Sequence, residues 1–170
     1  MFKDLTTAFI GGGTMAEAMI KGLLRGQLLA PSQVLVSEPR EERCKEMVGR
    51  YDVRTTTDNT RAAQEADILI LAIKPQVLDQ VLPELLGNIK PSALVLSILA
   101  GVPIGRIATG LGNPRVVRAM PNTPAQIGQG ITVWTATDVV PPQQRLQAQA
   151  ILDTLGEEIF VDTEDYLDMA

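Results

Sequence analysis

Apolar residues recur along this chain at two spacings, and the two alternate. Short aliphatic or β-branched runs at Thr6 to Ile10, Val34 to Ser37, Val53 to Thr55, Asp67 to Ile73, Leu94 to Ile98 and Arg115 to Ala119 read as strands. Between them, Met15 to Arg25, Arg40 to Arg50, Thr60 to Ala66, Gln76 to Leu86 and Pro103 to Leu111 carry helical spacing, with Met15, Ala18, Met19 and Leu23 on one face of the first. The unbroken Ile-Leu-Ile-Leu-Ala-Ile that starts at Ile68 requires a strand covered on both faces. Pro83 predicts a kink or an early end in its helix. Strands alternating with helices imply an α/β fold, a doubly wound and mostly parallel sheet.

The rhythm changes after Ala119. Gly130 to Ala136 alternates like a strand, Pro141-Pro142 opens a helix reaching Leu155 with Gly156 as its C-cap, and Glu158 to Val161 reads as a last strand. These strands are expected to run antiparallel at the C-terminal end of the sheet. Thr163 begins a helix with Glu164 and Asp165 in its first turn, and Ala170 falls inside it. Residues 1–162 therefore read as one domain and residues 163–170 as the start of a further, helical one. Tyr166, Leu167 and Met169 are expected to lie on the surface where that domain packs.

Composition narrows the functions open to such a fold. With 170 residues, 45% hydrophobic and 21% charged, the chain suits one globular domain. Fifteen Lys and Arg against twenty Asp and Glu leave a net charge of −5, which disfavours nucleic acid as a partner. The apolar run from Ala93 to Val102 is interrupted by Ser97 and falls short of the ~20 residues that cross a bilayer, so neither a membrane partner nor a location outside the cytoplasm is expected. A single cysteine, Cys44, excludes an internal disulfide and reads as a structural thiol. The absence of histidine removes the commonest acid–base group and most zinc sites, and no metal is expected.

The strongest chemical signal is Ile10-Gly11-Gly12-Gly13-Thr14-Met15-Ala16, which fits G-x-G-x-x-[GA] between a strand and a helix. Gly11 permits a sharp turn, Gly13 lets a pyrophosphate approach the backbone, and the helix N-terminus faces the anion. This places the fold among Rossmann-type sheets, although a plain glycine-rich turn has the same letters. Glu38, about 25 residues beyond Gly13, stands near the place where an acid bonds the adenosine ribose of NAD. Ser37 offers a hydroxyl there, and Arg40 and Arg43 offer cations to a 2′-phosphate. Glu38 as a solvated loop acid is the bland alternative.

Three more strand ends stand out: Ala72-Ile73-Lys74-Pro75, Ala100-Gly101, and the loop Met120-Pro121-Asn122-Thr123-Pro124. In a parallel sheet all would lie on one edge beside the glycines. Lys74 as a solvated cation and Asn122 to Pro124 as an ordinary turn are the competing readings, while Tyr51, Trp134 and Tyr166 read as packing residues.

Together, Phe9 to Ala16, Ala72 to Gln76, Ser97 to Val102 and Arg118 to Pro124 resemble the successive signatures of pyrroline-5-carboxylate reductases. The resemblance implies NADPH-dependent reduction of the small molecule 1-pyrroline-5-carboxylate to L-proline, the last step of proline biosynthesis. It implies that Ile10 to Met15 hold the pyrophosphate and that Ser37, Glu38 and Asn59 hold the adenosine end. Ala72, Ile73, Lys74, Pro75, Ala100 and Gly101 would flank the nicotinamide ribose and ring, with Asn122, Thr123 and Pro124 near nicotinamide and substrate. Family members carry small polar or basic residues where Glu38 stands, so NADP is the implied cofactor with NAD also possible. The family's helical C-terminal domain, implied to carry the proton donor and to build a homo-oligomer, lies outside this chain, and no catalytic acid is assigned within it. A 3-hydroxyacid dehydrogenase-like cofactor domain and a non-catalytic dinucleotide-binding module are the alternatives.

Overall fold

The computed structural model describes residues 1–168; Met169, expected on the packing surface, lies outside them. Eight strands form one sheet: β1 (Thr7–Ile10), β2 (Val34–Ser37), β3 (Arg54–Thr56), β4 (Ile68–Leu71), β5 (Leu94–Ser97), β6 (Val116–Pro121), β7 (Gly130–Ala136) and β8 (Gly156–Phe160). Their order is β3-β2-β1-β4-β5-β6-β7-β8. The six strands β1 to β6 are mutually parallel, β7 runs antiparallel to β6, and β8 is parallel to β7. The expected doubly wound sheet with reversed strands at its C-terminal end is therefore present.

Alternation along the strands divides the core in two. Phe9, Val36, Ile70, Leu96 and Val117 point toward α1 (Thr14–Arg25), α2 (Glu41–Tyr51) and α6 (Pro142–Asp153), meeting Met19, Leu23, Met47 and Ile151. Ile10, Leu35, Leu71 and Val95 point the other way, toward α3 (Asn59–Glu65), α4 (Leu78–Leu85) and α5 (Ile104–Leu111). Burial of each Leu or Ile on these faces is worth about 1.5–3 kcal/mol, which accounts for the wholly apolar β4. The chain winds outward from β1 in both directions, through β2 and through β4. That reversal opens a crevice at the carboxyl ends of β1 and β4.

Several boundaries differ from those the sequence suggests. β4 stops at Leu71 rather than Ile73 because its neighbours stop too, β1 at Ile10 and β5 at Ser97. β6 continues through Met120 and Pro121, which the sequence assigned to a loop; pairing with β7 holds them, with Pro121 opposite Thr132. Gly156 is not a C-cap. α6 closes at Asp153, and Gly156 starts β8 at φ +122°, where a Cβ would fall 2.2 Å from the Gly130 carbonyl oxygen. Pro83 does not end its helix early, since α4 runs two residues past it. The expected helix at Thr163 is a 3-10 turn, Glu164–Tyr166, capped by the Thr163 hydroxyl. Leu167 is buried at 1% exposure instead of lying on the surface, whereas Tyr166, expected on that surface though also read as a packing residue, is 55% exposed.

Candidate functional site

The crevice is built on the glycine turn. Gly11 has φ +100°, and a Cβ there would sit 2.7 Å from the Ala72 carbonyl oxygen, so the turn is wedged against the end of β4. Gly13 is different: at φ −82° a Cβ would meet nothing within 4 Å. Packing of the protein does not demand a glycine at 13, whereas close approach of a ligand would. Gly13 also caps α1 without a side-chain hydrogen bond. The N–H groups of Gly13 and Thr14 find no acceptor among the described residues, leaving donors and the positive end of the helix dipole for an anion. Ala16, buried behind them, lets α1 lie close to the sheet. Ile10 is wholly buried and points into the core, so only its main chain serves the site: its carbonyl accepts from the Ala72 N–H at 2.9 Å.

The back of the turn is occupied by a side chain that the sequence offered to a phosphate. Arg43 donates from Nε to the Gly12 carbonyl at 2.6 Å and from Nη2 to Glu17 at 2.7 Å. Glu17 is held in turn by Arg50 and the Tyr51 hydroxyl. Burial alone would raise the Glu17 carboxyl's pKa, but the hydrogen bonds from Tyr51 and Arg43 and the charges of Arg43 and Arg50 outweigh it and hold the group below its ordinary range. Arg43 thus braces the loop from behind and is not free for a ligand. The spacing of Arg43, Glu46 and Arg50 on one helix face was its only trace in sequence.

Glu38 is not a solvated loop acid, for it is 4% exposed. Its carboxylate accepts from the Gly12 N–H at 3.2 Å, the Arg40 N–H at 2.9 Å and Arg40 Nε at 3.0 Å. Burial pushes its pKa upward, yet these bonds and the Arg40 charge together bring it below the usual carboxylate range. Arg40 itself is 66% exposed at the mouth. Beside it, Ser37 Oγ donates to Asn59 Oδ1 at 2.6 Å. Cys44 Sγ donates to the Glu38 carbonyl, and burial, followed by the Glu38 charge, pushes the thiol's pKa up, so it behaves as the structural thiol expected.

A groove of about 540 Å³ runs between the turn and β4, lined by Gly11 to Thr14, Glu38, Arg40, Ala72 to Lys74 and Val77. A second hollow of about 280 Å³ continues it along Ala72, Ile73 and Lys74 to Met15, Pro75, Ile98, Ala100, Met120 and Pro121. Most of the expected residues therefore converge on one sheet edge. Ser37, Asn59 and Gly101 adjoin this lining without being part of it. Asn122 lines neither hollow, its Oδ1 accepting from the Ile131 N–H at 3.0 Å, and Thr123 and Pro124 lie exposed in the 3-10 turn that follows. The wall at that end is made by Met120 and Pro121 instead. Lys74 projects from the lip where the two hollows meet, exposed and without an ion pair among the described residues.

A family model described as NADP oxidoreductase, coenzyme F420-dependent, matches residues 6–101, the part that carries the glycine turn, Glu38 and Lys74. The chain belongs to this family. It is 43% identical over 158 residues to a pyrroline-5-carboxylate reductase of Synechocystis sp., covering 93% of this chain and 59% of that protein. A reductase of the same name from Pseudomonas aeruginosa is 37% identical, with 95% and 59% covered. Among solved structures, a pyrroline-5-carboxylate reductase from Coxiella burnetii superposes with a TM-score of 0.90 at 34% identity, over 96% of this chain and 61% of that one. The resemblance read from the motifs is thus matched across nearly the whole chain. The chain spans about three-fifths of the length of these relatives.

Proposed function

We propose that this chain is the dinucleotide-binding part of a pyrroline-5-carboxylate reductase, using NADPH to reduce the C=N bond of 1-pyrroline-5-carboxylate to L-proline. The observation that carries the reading is the open space at Gly13, with donors at the start of α1, in a groove that continues past Lys74 to Met120. These residues fit a nicotinamide dinucleotide. Gly12 to Thr14 hold the pyrophosphate; Glu38 and Arg40, beside Ser37 and Asn59, hold the adenosine ribose. Ala72 to Pro75, Ala100 and Met120 hold the nicotinamide end, with Gly101 adjoining.

When bound, the cofactor supplies hydride to the imine carbon, while a proton reaches the nitrogen from elsewhere. The chain's own contribution is positioning, which well-oriented reactions show can be worth ~7–11 kcal/mol. The apolar wall of Ile98, Met120 and Pro121 keeps water from one side of the ring. Arg40 offers a cation to a 2′-phosphate beside the Glu38 carboxylate, supporting NADP with NAD as a weaker alternative. The remaining two-fifths of the relatives' length is where this reading puts the substrate carboxylate site, the proton donor and self-association, with Asn122 to Pro124 kept as substrate-adjacent residues of this chain.

The test has two stages. Calorimetry on the chain should show NADPH binding. A fusion to the C-terminal portion of the Synechocystis relative should then oxidise NADPH when pyrroline-5-carboxylate is added, while the chain alone should not. Failure of both NADPH and NADH to bind, or turnover by the chain alone at the fusion's rate, would overturn the proposal.

A further inference from the structure

Arg118 is among the largest fully buried side chains of the described residues, standing in β6 beside Ser97 of β5. A buried guanidinium is costly unless charged partners hold it. Both of its partners come from one distant segment: Nη1 donates to Glu164 Oε1 at 2.8 Å and Nη2 to Asp168 Oδ1 at 2.7 Å. Its Nε has no hydrogen-bond partner among the described residues, so the cation is not fully satisfied even with two carboxylates. Leu167, between the acids, is buried and pins the segment further.

The same Glu164 oxygen accepts a second hydrogen bond, 2.6 Å from the N–H of Ile104, the first residue of α5. This contact ties the clasp to the groove. The connection from β5 to α5 carries Ile98 and Ala100, which line the nicotinamide end, and Gly101, which turns at φ +71°. Arg118's own strand delivers Met120 and Pro121 to the same wall. One guanidinium therefore links the segment 163–168 to two of the segments that line the second hollow, Ile98 to Ala100 and Met120-Pro121.

We infer that Arg118 is a positioning residue: its clasp with Glu164 and Asp168 fixes residues 98–103 and the end of β6 as the wall against which the nicotinamide ring is held. The inference rests on the proposed cofactor reading. It also makes residues 163–168 part of the cofactor-binding unit rather than the opening of a separate one. Any displacement of that segment then moves the groove wall.

Glu164→Ala removes the shared acceptor while leaving Arg118 paired with Asp168, and Glu164→Gln keeps an acceptor for Ile104. Two readouts are needed. Hydrogen–deuterium exchange over residues 98–107 needs no ligand. Calorimetry compares NADPH with 2′-phospho-ADP-ribose, which lacks the nicotinamide. For Glu164→Ala we expect faster exchange over 98–107 and NADPH binding weakened roughly three- to tenfold, with the truncated ligand unaffected. Glu164→Gln should recover most of the loss. Arg118→Met should reproduce the alanine result, and if it does not fold, Glu164→Ala decides. Unchanged exchange, or equal loss for both ligands, would overturn the positioning role. Failure of the unsubstituted chain to bind either ligand would remove the cofactor reading and this role with it, whereas the exchange measurement would still separately report whether the clasp holds the loop.

Discussion

Gly11 and Gly13 of the turn should respond differently to the same small change, and Gly13→Ala is the informative one. At φ −82° and ψ −164° alanine fits without strain, and its Cβ meets no protein atom within 4 Å. A glycine replaced by alanine at a compatible position gains about 0.4–1 kcal/mol by restricting the unfolded chain. The variant should therefore melt at or slightly above the parent's temperature. The methyl group would nevertheless stand where the pyrophosphate approaches the start of α1. Charge-assisted hydrogen bonds are worth about 1.5–3 kcal/mol, and an anion at a helix N-terminus gains up to ~2 kcal/mol more. Losing about 3 kcal/mol of this corresponds to a roughly hundredfold weaker dissociation constant.

Gly11→Ala is the control. It forces a side chain into φ +100° and 2.7 Å from the Ala72 carbonyl, so it should cost about 1–3 kcal/mol of stability through backbone strain before any ligand is added. Calorimetry with NADPH and thermal melts of all three proteins separate the effects. A Gly13→Ala protein that is as stable as the parent and binds the dinucleotide as tightly would refute the placement of the pyrophosphate.

Glu38→Ser should raise the preference for NADP(H) over NAD(H). A buried carboxylate about 5 Å from a phosphate charge repels it by ~3 kcal/mol at an effective dielectric of 20, and discounting for the open mouth leaves about a tenfold shift in the ratio of dissociation constants; an unchanged ratio would show that Glu38 does not read the ribose. The carboxyls of Glu17, Glu38 and Glu65 are all held below their ordinary value of 4.5. Their contribution to stability is complete above pH 4.5 and is lost as pH falls through the lowered values, so melting curves should decline on that side. Tyr51 has the opposite sign: burial and the Glu17 carboxylate raise its pKa from 10.0 to about 12, so its stabilisation is complete below pH 10 and is lost toward pH 12. Tyr51→Phe should abolish that alkaline component, and an unchanged melting profile between pH 10 and 12 would contradict the assignment.

The parallel half of the sheet was legible because its signals are local. Glycines end β1, Pro39 follows β2, and β4 is apolar along its whole length, so period and punctuation agree within a few residues. What was misread depends on partners distant in sequence. Met120 and Pro121 carry the composition of a loop, and only pairing with β7 makes them strand. Gly156 sits where a C-cap would, but its role is set by Gly130, whose carbonyl leaves no space for a Cβ.

The site divides along the same line. Main-chain requirements leave a mark in sequence, since a turn at φ +100° all but names glycine. Side-chain pairings do not, because an arginine that braces a loop and one that meets a phosphate have the same letter. Arg43 was offered with Arg40 as a cation for a phosphate and is bonded to the Gly12 carbonyl; Arg40, two residues from Glu38, stays at the mouth. Arg118 lay within the Arg118 to Pro124 signature that carried the resemblance, yet its partners are 46 and 50 residues further on. That separation accounts for the placing of Leu167 on the surface, because the segment that closes over β6 cannot be docked from spacing alone. The same contact that hides the clasp in sequence, a carboxylate shared between Arg118 and the first N–H of α5, is what joins residues 163–168 to the groove wall.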